Sequence, residues 1–180
     1  DDTTLYTVSN NPKDNRLQTA VTAVNEWSKK NDMRLNSKKT KEMLISFSRP
    51  PPEVESIKVD GCALERVDSV TLLGVILSSD LSWDLHVGHI IKKAQSRLFS
   101  LNMLRRAKVS GKDIIQIFCS KIRPVLEYAC PCWHPGLTTE QSDDIEAMQR
   151  RACHIAYPSL SYDECLEHCN IPSLKGLVLG

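Results

Sequence analysis

Leu72-Leu73-Gly74-Val75-Ile76-Leu77-Ser78-Ser79-Asp80-Leu81-Ser82-Trp83-Asp84-Leu85-His86-Val87 is the stretch in which the chain changes its hydrophobic period. Up to Leu77 the apolar residues stand in a short block that suits a buried strand, interrupted at Gly74. From Ser82 onward they recur three and four apart, at Trp83, Val87, Ile90, Ala94, Leu98, Leu101 and Leu104, as one stripe of a helix. Strands before and helices after predict an α+β chain rather than an alternating, doubly wound one. The expected boundary separates residues 1–82 from residues 83–180.

Upstream, the sequence predicts a strand over Thr3 to Ser9 and then a helix carrying Leu17, Ala20, Val21, Val24 and Trp27. Asn11 is its expected N-cap, Pro12 its first residue and Asn31-Asp32 its end. Met43, Ile45 and Phe47 alternate as a half-buried strand would, and Pro50-Pro51-Pro52 forbids its continuation. Ile57-Lys58-Val59 and Cys62-Ala63-Leu64 flank Asp60-Gly61, a pair suited to the positive φ angles of a hairpin turn. Downstream, Ser110 with Asp113, Thr138 with Gln141 and Ser161 with Glu164 mark three helix starts. Pro124 is expected to interrupt or kink the first of these helices.

In 180 residues, 41% hydrophobic and 25% charged with a formal charge of +1, the composition is that of an ordinary globular chain. No apolar run approaches the ~18 residues of a membrane span, and the start lacks a signal-peptide layout. The seven cysteines are an odd number without a disulfide scaffold's density, so reduced thiols and an intracellular setting, nuclear or cytoplasmic, are expected. The near-zero charge conceals an asymmetry. Between Leu81 and Val125 stand nine Lys and Arg against two acids, a local charge of +7. Such a segment is either a footprint for a polyanion or a solvated helix face.

The chain opens on Asp1-Asp2 without a Met. Adjacent carboxylates at a turn can hold hard divalent cations such as Mg²⁺, which serve nucleotidyl transfer; they are also common on solvated turns.

Taken in order, Asp1-Asp2-Thr3-Thr4-Leu5-Tyr6, then Trp27 with Leu35-Asn36-Ser37-Lys38-Lys39-Thr40-Lys41, then Leu73-Gly74-Val75-Ile76-Leu77 with Asp80-Leu81-Ser82-Trp83 and His86, then Arg123-Pro124-Val125-Leu126-Glu127-Tyr128-Ala129 resemble the reverse transcriptase of jockey-like non-long-terminal-repeat retrotransposons. The family's catalytic box reads Tyr-x-Asp-Asp, so the resemblance implies an RNA-directed DNA polymerase cut inside that box. Residues 1–82 would be the C-terminal part of the palm and residues 83–180 a helical thumb and post-thumb region. The fingers and the N-terminal palm, with its partner Asp, would lie outside this chain. Asp1 and Asp2 would then help to hold two Mg²⁺ ions that neutralise an incoming deoxynucleoside triphosphate and activate the primer 3′-hydroxyl. Lys39 would stand near the leaving pyrophosphate, although Lys38 competes for that assignment and a solvated loop explains both. Leu73-Gly74-Val75 would form the hairpin that holds the primer terminus; an ordinary bulge at Gly74 is the simpler alternative.

Trp27 and Trp83 read as core or junction residues rather than base-stacking platforms. Lys92, Lys93 and Arg97, with Arg105 and Arg106 beyond them, are the expected contacts to a duplex of RNA template and DNA primer. The fragment alone is expected to be inactive as a polymerase. The competing reading is a non-catalytic nucleic-acid-binding or zinc-stabilised interaction module, with Cys130, Cys132, His134, Cys165, His168 and Cys169 as ligands. Its Cys-Pro-Cys-x-His spacing is unlike a common zinc knuckle.

Overall fold

The computed structural model describes residues 3–175, and the chain divides into two compact units, Asp1–Ser82 and Trp83–Gly180. Helices and short strands are both present, as α+β organisation requires, and the division falls where the hydrophobic period changes.

Among the described residues the first unit holds one helix, α1 (Arg16–Lys30), and six short strands. β1 (Lys41–Glu42) pairs in parallel with β4 (Glu65–Arg66). β2 (Lys58–Val59) and β3 (Cys62–Ala63) form a hairpin, as do β5 (Ser69–Leu72) and β6 (Val75–Ser78). At the β2–β3 turn Asp60 and Gly61 both take positive φ, 51° and 77°, as a two-residue turn of this hand demands. α1 docks on this hairpin through polar groups. The Gln18 carboxamide donates to Lys58 O at 3.0 Å and accepts from Lys58 N at 2.8 Å, so it completes β2 as a strand edge would. Asn25 Nδ2 and Lys29 Nζ both donate to Asp60 Oδ1, at 2.7 and 2.5 Å.

Four expectations in this unit need correction. Thr3 to Ser9 forms no strand; all seven residues are exposed, because no strand among the described residues completes a ladder with them. α1 begins at Arg16, with Asn15 at the cap position, while Asn11 Oδ1 instead accepts from Lys13 N in a local turn. Met43, Ile45 and Phe47 lie beyond the two-residue β1, and Phe47 is 76% exposed: alternation buries nothing where the ladder has ended. Trp27 is 57% exposed, since α1 turns Asn25 and Ser28 inward rather than its aromatic residue.

The second unit is helical and well packed. α2 (Asp84–Arg106) buries Val87, Ile90, Ala94, Leu98 and Leu101, the stripe expected from its spacing. It ends on Lys108 at φ 61°, with Val109 N donating to Leu104 O and Lys108 N to Arg105 O, a Schellman closure that satisfies the last carbonyls. α3 (Gly111–Ile117) starts where Ser110 accepts from Asp113 N. It runs into a π-helical turn (Phe118–Ile122) and then α4 (Arg123–Glu127). Pro124 explains the wide turn: its ring would crowd Ser120 O in a regular helix, and Arg123 N instead reaches five residues back to Phe118 O. The extra residue rephases the helix, so that Ile122 and Arg123 are both buried. After α5 (Cys130–Trp133) come α6 (Thr139–Ala156) and α7 (Tyr162–Cys169), each opened by the capping box read from sequence. Trp133, Phe118, Leu101, Ile114 and Ile122 centre the core.

Gly111 marks a close approach in this packing. A Cβ there would meet Ala156 O at 2.8 Å and Tyr157 Cε1 at 2.7 Å. Gly111→Ala should therefore lose about 1–3 kcal/mol to overpacking, against the ~1 kcal/mol that Ala ordinarily contributes in a helix. Chemical denaturation reads the sign directly, and a more stable variant contradicts the contact.

Candidate nucleic-acid interface

α2 is the longest helix among the described residues and carries one acid, Asp84, at its start. Asp84 is occupied there by Gln141 Nε2, at 2.6 Å. Its N-terminal end is fixed by an aromatic cluster: His86, 1% exposed, packs edge-on to Trp83 at 6.2 Å and to Trp133 at 5.2 Å between ring centroids. Trp133 is in turn tethered by Nε1 donating to Tyr128 O at 2.9 Å. Trp83, His86 and Trp133, the last tied to Tyr128 O, thus anchor the start of α2, and Trp83 is a packing residue.

Burial pushes the His86 imidazole below its ordinary pKa, with neighbouring His89 adding to the effect. The unfolded chain then takes up this proton first. The stability contributed by neutral His86 is complete above about pH 6.5 and is lost as pH falls below it. The expected result is a melting temperature that drops between about pH 7 and pH 5, with a shallower drop in His86→Gln. Parallel curves for the two proteins contradict a buried neutral imidazole.

Lys92 and Lys93 are exposed, as are Arg105 and Arg106 in the last turn, where the helix dipole favours cations. Among the described residues no carboxylate pairs with any of the four within 4.0 Å. Arg97 differs from the expectation for a free phosphate contact. It is half-buried and its Nη1 donates to Lys121 O in the π turn, so it is partly committed to holding α2 against that turn. The same bond brings the backbone of exposed Lys121 against Arg97, a neighbour that spacing along α2 could not reveal. Arg123, one of the nine bases of the segment, is withdrawn altogether. It is 7% exposed and paired with Glu127 at 2.5 Å.

In the first unit, Leu73-Gly74 proves to be the two-residue turn joining β5 to β6, rather than an interruption within one strand. Leu73 has φ 47° and Gly74 φ 82°, and Leu73 is 70% exposed at the tip, while Val75 is buried. A branched apolar side chain in the left-handed region is strained, a condition that concentrates at functional positions. Lys39 sits in a turn closed by Asn36, whose backbone O and Oδ1 accept from Lys39 N at 3.0 and 3.2 Å. Lys38 and Lys39 are both exposed, and no described carboxylate pairs with either; Lys41, by contrast, is bonded to Glu65. Asp1 and Asp2, the expected metal ligands, lie outside the described residues.

Among the described residues no three His, Cys, Asp or Glu side chains form a group suited to a metal ion. Two thiols of the zinc reading are held toward the protonated form. Burial, then Glu127, raises Cys130, and burial with adjacent Cys165 pushes Cys169 up to about 11. Among the described residues no helix is long and apolar enough to cross a membrane. In comparison with known proteins, no family model, no curated protein and no solved structure matches the chain.

Proposed function

We propose that the chain carries the C-terminal palm and the thumb of an RNA-directed DNA polymerase of the non-long-terminal-repeat retrotransposon kind, and that its helical unit grips the template–primer duplex. The observation that carries this reading is the unneutralised basic surface of α2, where Lys92, Lys93, Arg105 and Arg106 face solvent and the single acid is spent at the helix start. An ordinary solvated helix intersperses acids at spacings of three and four to pair such bases. A surface that meets phosphates does not, because sequence-independent affinity comes from cations left free to displace counterions.

The strained, exposed Leu73 at the β5–β6 turn supports the primer-holding role, since an apolar tip on a short rigid hairpin can pack against a sugar or base without specifying sequence. Lys39 is placed on an accessible turn, where its ammonium could meet a leaving pyrophosphate and donate a proton. In this reading Asp1 and Asp2 would hold Mg²⁺, which would supply charge neutralisation of a deoxynucleoside triphosphate and activation of the primer hydroxyl.

Filter binding of an RNA–DNA primer–template to the full chain across salt tests the proposal. Affinity should fall linearly on a log–log plot as salt rises. Salt-independent binding, or none at low salt, overturns it and leaves the non-catalytic interaction module.

A further inference from the structure

α2 has a second outward surface that its basic flank does not explain. Gln95, Phe99 and Asn102 line one wall of an open groove of about 630 Å³, and Arg150, Arg151 and His154 line the other. The two walls are helical stripes, Gln95, Leu98, Phe99 and Asn102 on α2 against Ala147, Arg150, Arg151, His154 and Ile155 on α6, spaced three and four apart on each helix. Phe99 is 66% exposed, which leaves its ring open to the groove. Arg150 is held in place, with its Cζ 5.2 Å from the centroid of the Tyr162 ring. The Tyr162 hydroxyl is itself fixed by donating to buried Glu146 and accepting from Gln149 Nε2 at 3.1 Å.

We infer that this groove binds single-stranded nucleic acid. The floor is apolar and aromatic, the rim is cationic, and none of the residues lining it is acidic, a lining complementary to bases joined by phosphates. Phe99 offers its ring to a base; Arg151, exposed on the rim, and the positioned Arg150 meet the flanking phosphates. The Gln95 and Asn102 amides, both exposed, can donate and accept at base edges. By the ~100° rotation per residue of an α-helix, Phe99 lies more than ~100° around α2 from Lys93 and Arg97 but shares a face with Lys92 and Arg106, seven residues away on either side, so the two surfaces adjoin and are told apart by Phe99, which carries no charge for a duplex to meet. The inference rests on the proposed nucleic-acid function but uses none of the residues assigned to the duplex.

The test is fluorescence anisotropy of the full chain with a labelled single-stranded oligonucleotide of mixed sequence, and separately with a labelled primer–template duplex. Phe99→Ala, which removes an exposed side chain and leaves the core intact, should weaken single-strand binding about tenfold and leave duplex binding unchanged. Arg151→Glu should do the same. Single-strand binding that is absent, or identical in the parent and Phe99→Ala, overturns the inference while duplex binding still upholds the proposed function. Failure of both ligands removes the proposed function as well. Phe99-dependent binding of an acidic amphipathic peptide, with none of the oligonucleotide, makes the groove a protein-docking site and also overturns the inference.

Discussion

Replacing Arg123 with Ala is expected to cost the fold about 3–5 kcal/mol, read as a lower midpoint in denaturant with unchanged slope. The guanidinium is almost fully buried and serves three acceptors at once. Nε donates to Glu127 Oε1 at 2.5 Å, and Nη1 to Gln149 Oε1 at 3.2 Å and to Pro172 O at 3.0 Å. Gln149, with no exposed surface, also donates to Pro172 O at 2.9 Å and to the Tyr162 hydroxyl. Tyr162 donates in turn to Glu146, whose other oxygen accepts from Lys175 N at 3.0 Å. Burial and Glu146 together raise the Tyr162 pKa, so the phenol keeps the proton this chain of bonds requires. The network clamps residues 172–175 onto α6 and lets Leu174 be buried beside it. Removing Arg123 leaves a partly buried Glu127 without its cation and the interior Gln149 Oε1 without this donor, while Pro172 O keeps its bond from Gln149 Nε2. Arg123→Lys should recover only a minor part of the loss, because one ammonium cannot reproduce the geometry of a planar fork. An Ala variant as stable as the parent would mean that the network contributes nothing net.

Arg123 also shows where sequence reading ends. In the sequence it is one more base in a basic segment; in the fold it is an interior donor whose partners lie 26 and 49 positions away. Signals confined to a few neighbouring residues were legible. The caps at Ser110, Thr138 and Ser161, the Asp60-Gly61 turn and the buried stripe of α2 all depend on local geometry, and each is found. Expectations that needed a distant partner fared worse. Thr3 to Ser9 and Met43 to Phe47 have strand-like composition, yet a strand exists only beside another strand. Trp27 carries the right spacing for a core, but polar contacts from Asn25 and Lys29 to Asp60 set the rotation of α1. At the candidate interface, charge identified Lys92 and Lys93 but could not reveal that Arg97 is tied to the backbone of Lys121 in the π turn, or that Phe99 stands in an open groove. Those are properties of packed helices, not of one helix.

Reversing the two exposed lysines of α2 should have the largest effect on binding. Lys92→Glu with Lys93→Glu removes two cations that face solvent and have no described carboxylate partner, so the fold loses no ion pair and the change acts on the ligand. Two phosphates that are no longer neutralised lower duplex affinity by roughly 10- to 100-fold at about 0.1 M salt through lost counterion release. The loss should be similar for RNA–DNA duplexes of any sequence, since phosphate contacts carry no base information. Arg97→Glu is a poorer probe, because it also breaks the bond to Lys121 O and confounds binding with packing.

The most direct measurement is therefore the slope of log affinity against log salt for a primer–template duplex, in the parent chain and in the Lys92→Glu, Lys93→Glu variant. A basic thumb surface predicts a slope shallower by about 2 in the variant, with the two lines converging at high salt. Two parallel lines of equal affinity would place the duplex elsewhere, or nowhere, on this protein.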